Sequence, residues 1–268
     1  MIPKIIHYCW FGRGPKPEVF EKCFASWKQY MPDFQIIEWN EENTDLDSCQ
    51  FLRDAYDQKK WAFVSDVVRL QAVYRMGGIY MDTDVELFQS LNDYLEYDGF
   101  FFFQNHSQIN TGMGFGACAQ NQLIAEMLTD YERTVFSTDR LNQLATPVLN
   151  TATIQRAIPD FLPSSQNQLC RNMLFVHYED YYQRATHYGT FGWQTEEQKK
   201  LLKFAKKKHG AWGIKKIFRN PKIFLFLETH HLSFVSKVYS FLVYDFVDYG
   251  PVYWAAKAIY KVKNKFKK

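Results

Sequence analysis

The stretch Trp61–Glu86, WAFVSDVVRLQAVYRMGGIYMDTDVE, constrains this chain more than any other because it specifies a helix, a stop and a strand in succession. Phe63, Val67, Leu70, Val73 and Tyr74 recur at helical spacing, Gly77 and Gly78 supply the stop, and Ile79, Tyr80 and Met81 suit a buried strand. Asp82 and Asp84 follow directly. Carboxylates at i and i+2 of an extended segment lie on one side, so at a strand end they can share one divalent cation. Magnesium and manganese prefer carboxylate oxygen and keep open positions for substrate phosphates. A DxD triplet alone is common by chance and more often marks a solvated turn.

The preceding helix argues for a site. Asp66 and Arg69 are three apart and share a face, roughly 5–6 Å between Cβ atoms. As a surface ion pair they would add little stability. Val64, Val67, Val68 and Leu70 crowd them instead, and charges in an apolar helix usually have a paired or ligand-binding role.

Trp61, the Ser65-Asp66-x-x-Arg69 helix and Gly77-Gly78-Ile79-Tyr80-x-Asp82-x-Asp84 together resemble the sugar-nucleotide site of glycosyltransferase family 32, the transferases with a DXD sugar-binding region. That family includes bacterial capsular polysaccharide transferases and yeast α-1,6-mannosyltransferases, and the arrangement is similar to the catalytic domain of the large clostridial glucosylating toxins. The resemblance implies a GT-A-like α/β fold with a mixed central sheet and a nucleotide-diphosphate sugar as donor, UDP-sugar favoured. It also implies Mn2+ or Mg2+ as cofactor and retention of anomeric configuration, with the departing phosphate taking the acceptor proton. Asp66, Arg69, Asp82 and Asp84 then stand at the catalytic positions, and Cys9, Trp10, Trp61, Tyr80, Asn110 and Trp193 at donor-binding positions. Tyr80 is expected on a phosphate or on the sugar.

The opening Lys4-Ile5-Ile6-His7-Tyr8-Cys9-Trp10 is a strong strand closed by the Gly12-Arg13-Gly14-Pro15 turn. In an open α/β sheet the ligand crevice lies beyond the strand's carboxyl end, where Trp10 falls. An exposed Trp there can stack on a base, a contact worth about 1–3 kcal/mol in nucleic-acid binding; a core Trp is the other reading. The I-H-x-x-W-F-G form resembles the family's opening motif, in which this Trp faces the donor base. His7 is favoured as a structural histidine. A helix over Glu18–Tyr30 and a strand over Phe34–Trp39 complete a βαβ start. Asn40 in the acidic loop that follows is a further candidate neighbour of the base.

After the DxD, Val85–Phe88 continues outward and Phe100–Gln104, with four consecutive phenylalanines, reads as a core strand. Asn110-Thr111-Gly112-Met113-Gly114-Phe115-Gly116 reads either as a turn or as a site where glycines admit close backbone approach and Asn110 binds sugar hydroxyls. Gln122–Phe136 predicts a helix. Ala145-Thr146-Pro147 departs from the family's T-G-P-x-x-x-T element, which weakens a role for Thr146. His187–Trp193 resembles the family's late H-x-x-x-G-S-W element, with Gly192 at the serine position and Phe191 at the glycine position. There His187 or a backbone group completes the metal shell begun by Asp82 and Asp84.

With 47% hydrophobic and 18% aromatic residues, the chain can bury a full core. Its five cysteines lack CxxC spacing, which suggests reduced thiols and argues against structural zinc. No basic, apolar leader and no charge-free apolar run near 18 residues is evident, which favours a bacterial, cytoplasmic form over the anchored yeast form. Residues 1–198 hold 15 Lys+Arg against 26 Asp+Glu, a balance of −11, whereas residues 199–268 hold 17 against 3, a balance of +14. The expected division is therefore a catalytic domain at 1–198 and a basic, aromatic-rich helical segment at 199–268 that associates with an anionic membrane surface, on the inner face of the plasma membrane. Nucleic acid is disfavoured as a partner, because the aromatics are mixed with Leu, Val and Ile and no nucleic-acid motif is present.

The implied reaction is sugar transfer to a hydroxyl of a lipid-linked oligosaccharide in capsular or surface polysaccharide synthesis. Two other classes fit less well. A haloacid-dehalogenase-like phosphohydrolase also places Asp-x-Asp after a strand, but Glu86 stands where it needs Thr or Val, and Val85 where it needs glycine. A non-catalytic, membrane-docked glycan-binding module leaves the Asp66, Arg69, Asp82, Asp84 cluster without a purpose. No Ser-His or Cys-His spacing suggests a covalent intermediate.

Overall fold

Ile5–Cys9 forms the central parallel strand β1, with Ile6, His7, Tyr8 and Cys9 all buried as a strand covered on both faces requires. The structure, a computed structural model, describes residues 1–162 and 166–189; Trp193 and the 199–268 segment lie outside the described residues. Along the chain β1 is followed by α1 (Glu18–Tyr30), β2 (Gln35–Trp39), α2 (Gln50–Asp57), α3 (Trp61–Met76), β3 (Gly78–Tyr80), β4 (Val85–Leu87), β5 (Gly99–Phe102) and β6 (Phe115–Ala117). Then come α4 (Gln122–Arg133), α5 (Leu141–Leu144), α6 (Thr146–Ala157), β7 (Gln168–Cys170), β8 (Met173–Val176), α7 (Tyr178–Arg184) and β9 (Ala185–His187).

The sheet order is β2-β1-β3-β6-β5-β8-β7, and β4 and β9 form a separate antiparallel ribbon. β1 pairs in parallel with β2 and β3, and β5 with β8, while β6 runs antiparallel between β3 and β5. The carboxyl ends of β1, β2, β3, β5 and β8 therefore share one edge, and the DxD leaves β3 at that edge. The expected mixed α/β class is what the chain adopts.

Helix α3 explains the mixed signals of its sequence. Val64, Val67, Val68, Leu70, Ala72 and Val73 are all buried, so the helix is apolar nearly all round. Its stop is stereochemical: Gly77 and Gly78 have φ of 66° and 107°, and a Cβ on Gly78 would lie 2.7 Å from the Ile5 carbonyl oxygen. His7 closes this junction. Trp39 Nε1 donates to its Nδ1 (3.1 Å), which leaves Nε2–H to donate to Gly77 O (2.8 Å), and burial lowers its pKa.

The four phenylalanines of the 100–103 run alternate between faces. Phe100 and Phe102 join the cluster of Ile6, Tyr8, Phe20, Trp27, Ile79 and Met81, while Phe101 stacks between Phe115 and Phe175 on the other side. Helix α1 packs on the first face and grips the ribbon: Trp27 Nε1 donates to Val85 O (2.8 Å) and Leu87 N–H to Ser26 Oγ (2.9 Å).

Three details differ from the sequence pattern. The glycine-rich run contains β6, where Gly116 is needed because a Cβ there would fall 2.5 Å from Phe100 Cε1. α4 stops at Arg133, ahead of the expected Phe136, and starts at an Asn121 side chain accepting from the Leu123 and Ile124 amides. α2 has no counterpart in the expectation, being a short helix that buries only Phe51, Leu52 and Ala55.

Candidate functional site

Asp82 and Asp84 lie just past β3, and β9 pairs with β4 so that His187 stands opposite Val85. One ligand atom from each of Asp82, Asp84 and His187 falls within 4.8 Å of the others. His187 Nε2 is 3.1 Å from Asp84 Oδ1 and 3.7 Å from Asp82 Oδ2. Two hard carboxylate oxygens and an imidazole nitrogen, converging from one buried (Asp84) and two partly exposed positions, fit a divalent ion such as Mn2+ or Mg2+. Burial favours the neutral His187 imidazole, but the hydrogen bond and charge of Asp84, aided by Asp82, outweigh it and raise its pKa.

The two oxygens of Asp82 have separate tasks. Oδ2 faces the cluster; Oδ1 accepts from Tyr80 OH (2.8 Å) and pairs with Arg69 Nη2 (3.1 Å). The same Arg69 nitrogen lies 3.0 Å from Asp66 Oδ1, so one guanidinium holds both carboxylates. Arg69 Nε donates to Ser65 O (3.1 Å), and the guanidinium lies over the Tyr80 ring. Burial works against the Arg69 charge, yet Asp82, Tyr80 and Asp66 more than offset it and the pKa rises. Burial also lifts Asp66, the opposing pull of Arg69 notwithstanding, from the ordinary 3.8 to about 6.

Gly112 closes the Asp82 side. Asp82 N–H donates to its carbonyl (3.1 Å), and a Cβ on it would meet Asp82 Oδ2 at 2.4 Å, Asn110 Oδ1 at 3.0 Å and Arg69 Nη1 at 3.2 Å. Asn110 is engaged in shaping this turn: its Oδ1 accepts from the Gly112 amide (2.8 Å) and its Nδ2 donates to Gln104 Oε1 (3.0 Å).

The remaining sequence-derived residues divide into two places. Cys9 is buried beside Arg69, Tyr80 and Asp82, and burial pushes its thiol up to about 12, so it stays protonated. Tyr80, expected against a phosphate or the sugar, is 1% exposed and directs its hydroxyl onto Asp82. Trp10 follows β1 and Trp61 begins α3, and both indoles meet the Gly12–Gly14 turn. Trp10 Nε1 donates to Gly14 O (2.8 Å), and a Cβ on Gly12 would lie 2.7 Å from the Trp61 indole. Asn40 is held within its own loop by Glu38, Glu42 and Asn43. Trp193 lies outside the described residues.

Sequence reasoning passed over a buried polar layer behind Asp66. Thr146, at the head of α6, stands between the Asp66 carboxyl and the Tyr131 phenol without a hydrogen bond of good geometry to either. Asn150 Nδ2, one turn on, donates to Thr111 Oγ1 (3.2 Å). The signal that could have found the layer was Thr146, Asn150 and Thr151, whose spacing puts them on one side of a helix.

Residues 17–101 match the family described as "glycosyltransferase sugar-binding region containing DXD motif". A 120-residue stretch is 33% identical to inositol phosphoceramide mannosyltransferase 3 of Schizosaccharomyces pombe, covering 42% of this chain and 33% of that protein, so the chain spans about a third of the relative's length. Among solved structures, the PaToxG glycosyltransferase aligns with TM-score 0.48 at 17% identity, over 59% of this chain and 70% of that one. A transferase mutant aligns with TM-score 0.35 at 12% identity, over 55% and 86%. The matched residues 17–101 include Asp66, Arg69, Asp82 and Asp84.

Proposed function

We propose, taking residues 17–101 as a glycosyltransferase sugar-binding region of the DXD type, that the chain transfers a sugar, with retention, from a nucleotide-diphosphate sugar to a hydroxyl of a lipid-linked glycan. UDP-sugars are the favoured donors and capsular or surface polysaccharide the product. The observation that carries the reading is the convergence of Asp82, Asp84 and His187 within 4.8 Å, beside an Asp66–Arg69–Asp82 chain of charges. The fission-yeast relative is named for mannose transfer to inositol phosphoceramide, which supports an acceptor carried on a lipid.

In this reading Asp82, Asp84 and His187 would hold a divalent ion, which would supply the positive charge that the diphosphate leaving group needs. The chain's own residues set the geometry. Arg69 and Tyr80 fix Asp82 by its other oxygen, so that Oδ2 keeps its direction, and Gly112 leaves that oxygen the space it occupies. Asp66, held by Arg69, accepts hydroxyls of the transferred sugar. Trp10 and Trp61, set by the Gly12 turn at the carboxyl edge, supply flat apolar surface for the base. The departing phosphate takes the acceptor proton. Residues 199–268 bring the domain to an anionic membrane surface on the cytoplasmic side, where such acceptors are made.

The direct test is manganese-dependent hydrolysis of a panel of UDP- and GDP-sugars, with Asp84→Asn as control. Slow release of one nucleotide, lost in the variant, supports the reading. Absence both of turnover and of manganese-linked thermal stabilisation by any donor refutes it.

A further inference from the structure

His187 reaches Asp84 from a segment a hundred residues away in sequence, on a short ribbon and a few flanking backbone bonds. The β4–β9 ribbon contains three residue pairs; beyond them Tyr188 N–H adds a bond to Asp84 O (3.0 Å) at one end, and the Phe88 and Gln89 N–H groups add bonds to Arg184 O (2.7 and 3.2 Å) at the other. Two-stranded ribbons of this size are marginal by themselves. A side-chain cluster on the solvent side of the ribbon supplies what the backbone lacks. Glu86 sits between Val85 and Leu87, whose side chains are buried. Its Oε2 accepts from Tyr188 OH (2.5 Å) and pairs with Lys22 Nζ (2.9 Å). Lys22 Nζ also donates to Tyr188 OH (2.9 Å) and lies 5.5 Å from the centre of the Tyr188 ring. Each of the three residues therefore contacts the other two, and they come from α1, β4 and the residue after β9.

The cluster continues a grip already present. Lys22 is one turn before Ser26 on α1, and Ser26 and Trp27 bind the β4 backbone at Leu87 and Val85. α1 thus fixes β4 by its buried side and, through Lys22 and Glu86, fixes the strand that carries His187. We infer that Lys22, Glu86 and Tyr188 are positioning residues that seat His187 against Asp84, and that divalent-cation affinity depends on them although none of the three is a ligand. The inference rests on the metal reading proposed above. Loss of groups that orient a metal ligand lowers affinity by about 10–100-fold.

The experiment uses the full chain without donor and has two readouts. Amide hydrogen exchange follows the Tyr188 N–H and, as a reference, the amides of β3; manganese titration, read by the electron paramagnetic resonance of free Mn2+, gives the Kd. In Glu86→Ala the Tyr188 amide should exchange about tenfold faster or more while β3 is unchanged, and the Kd should rise on the order of tenfold. Glu86→Gln, which keeps an acceptor for Tyr188, should fall between. Adding Glu86→Ala to His187→Ala should raise the Kd no further, because the cluster acts through the imidazole.

Unchanged Tyr188 exchange in Glu86→Ala overturns the inference, as does faster exchange with an unchanged Kd, or full additivity with His187→Ala. If His187→Ala itself leaves the Kd unchanged, the reading of His187 as a metal ligand fails and the cluster's role in cation binding fails with it. That outcome is distinguished by the His187 variant alone.

Discussion

Replacing Gly112 with Ala tests how closely Asp82 is held. The added Cβ would start 2.4 Å from Asp82 Oδ2. Carbon–oxygen contacts settle at about 3.3 Å even when favourable, so about 0.9 Å must be found. Backing away as a whole is resisted, because Asp82 Oδ1 is bound by Tyr80 OH at 2.8 Å and Arg69 Nη2 at 3.1 Å. Arg69 cannot give readily either, since its Nη1 would lie 3.2 Å from the same Cβ and Asp66 holds its Nη2. The carboxylate is left to pivot about Oδ1, which moves Oδ2 relative to Asp84 and His187. A displacement near 1 Å at a reacting site costs about 100-fold, whereas accommodating one methyl group costs about 1–3 kcal/mol of stability. Gly112→Ala should therefore lower donor hydrolysis by about 10–100-fold and weaken Mn2+ binding, measured by calorimetric titration, while urea denaturation shows a folded protein. A folded Gly112→Ala with unaltered Mn2+ affinity and turnover would show that Oδ2 is not held where the structure has it.

Burial raises the Asp66 carboxyl from 3.8 to about 6 in the folded chain. A folded-state pKa above the unfolded one means stability present below pH 4 and lost as pH rises through about 6. Relative to Asp66→Asn, wild type should lose on the order of 3 kcal/mol across that window; urea midpoints that run parallel from pH 4 to 7 would refute this. Gly78→Ala combines a φ of 107° with a Cβ 2.7 Å from the Ile5 carbonyl oxygen, so it should destabilise by about 3 kcal/mol or more, and a wild-type melting curve would contradict the junction described. Truncation before Lys199 should weaken binding to anionic liposomes, most steeply at low salt; equal sedimentation of both chains with vesicles would count against a membrane role.

Local elements were legible because their signals are local. The helix expected over Glu18–Tyr30 has those bounds in the structure, and the α3–β3 junction followed from periodicity and two glycines. The tasks of side chains were harder to read. Tyr80 next to a DxD suggests a ligand contact until β6 and α3 cover it, and the hydroxyl then has Asp82 as its partner. Asn110 and the glycines around it suggest a sugar-binding loop, whereas Asn110 folds the turn and Gly116 makes room for Phe100. Thr146 was discounted for a missing neighbouring glycine, yet α6 sets it beside Asp66 through packing between helices that no short window contains. The pairing of β4 with β9 across a hundred residues carries no local pattern at all, and His187 was found only by resemblance.

That pairing also places the candidate site on a timetable. On a ribosome β1, β2 and β3, which pair with one another, have all been made once about 80 residues have emerged, but β3 still awaits its other neighbour, β6. Asp82 and Asp84 emerge directly after β3 but cannot yet complete the three-residue cluster, because Gly112, which binds the Asp82 amide, and His187 are still unmade. A nascent or prematurely terminated chain would carry the acidic pair without the imidazole. The cluster would thus be completed late in synthesis, when His187 emerges and β9 pairs with β4.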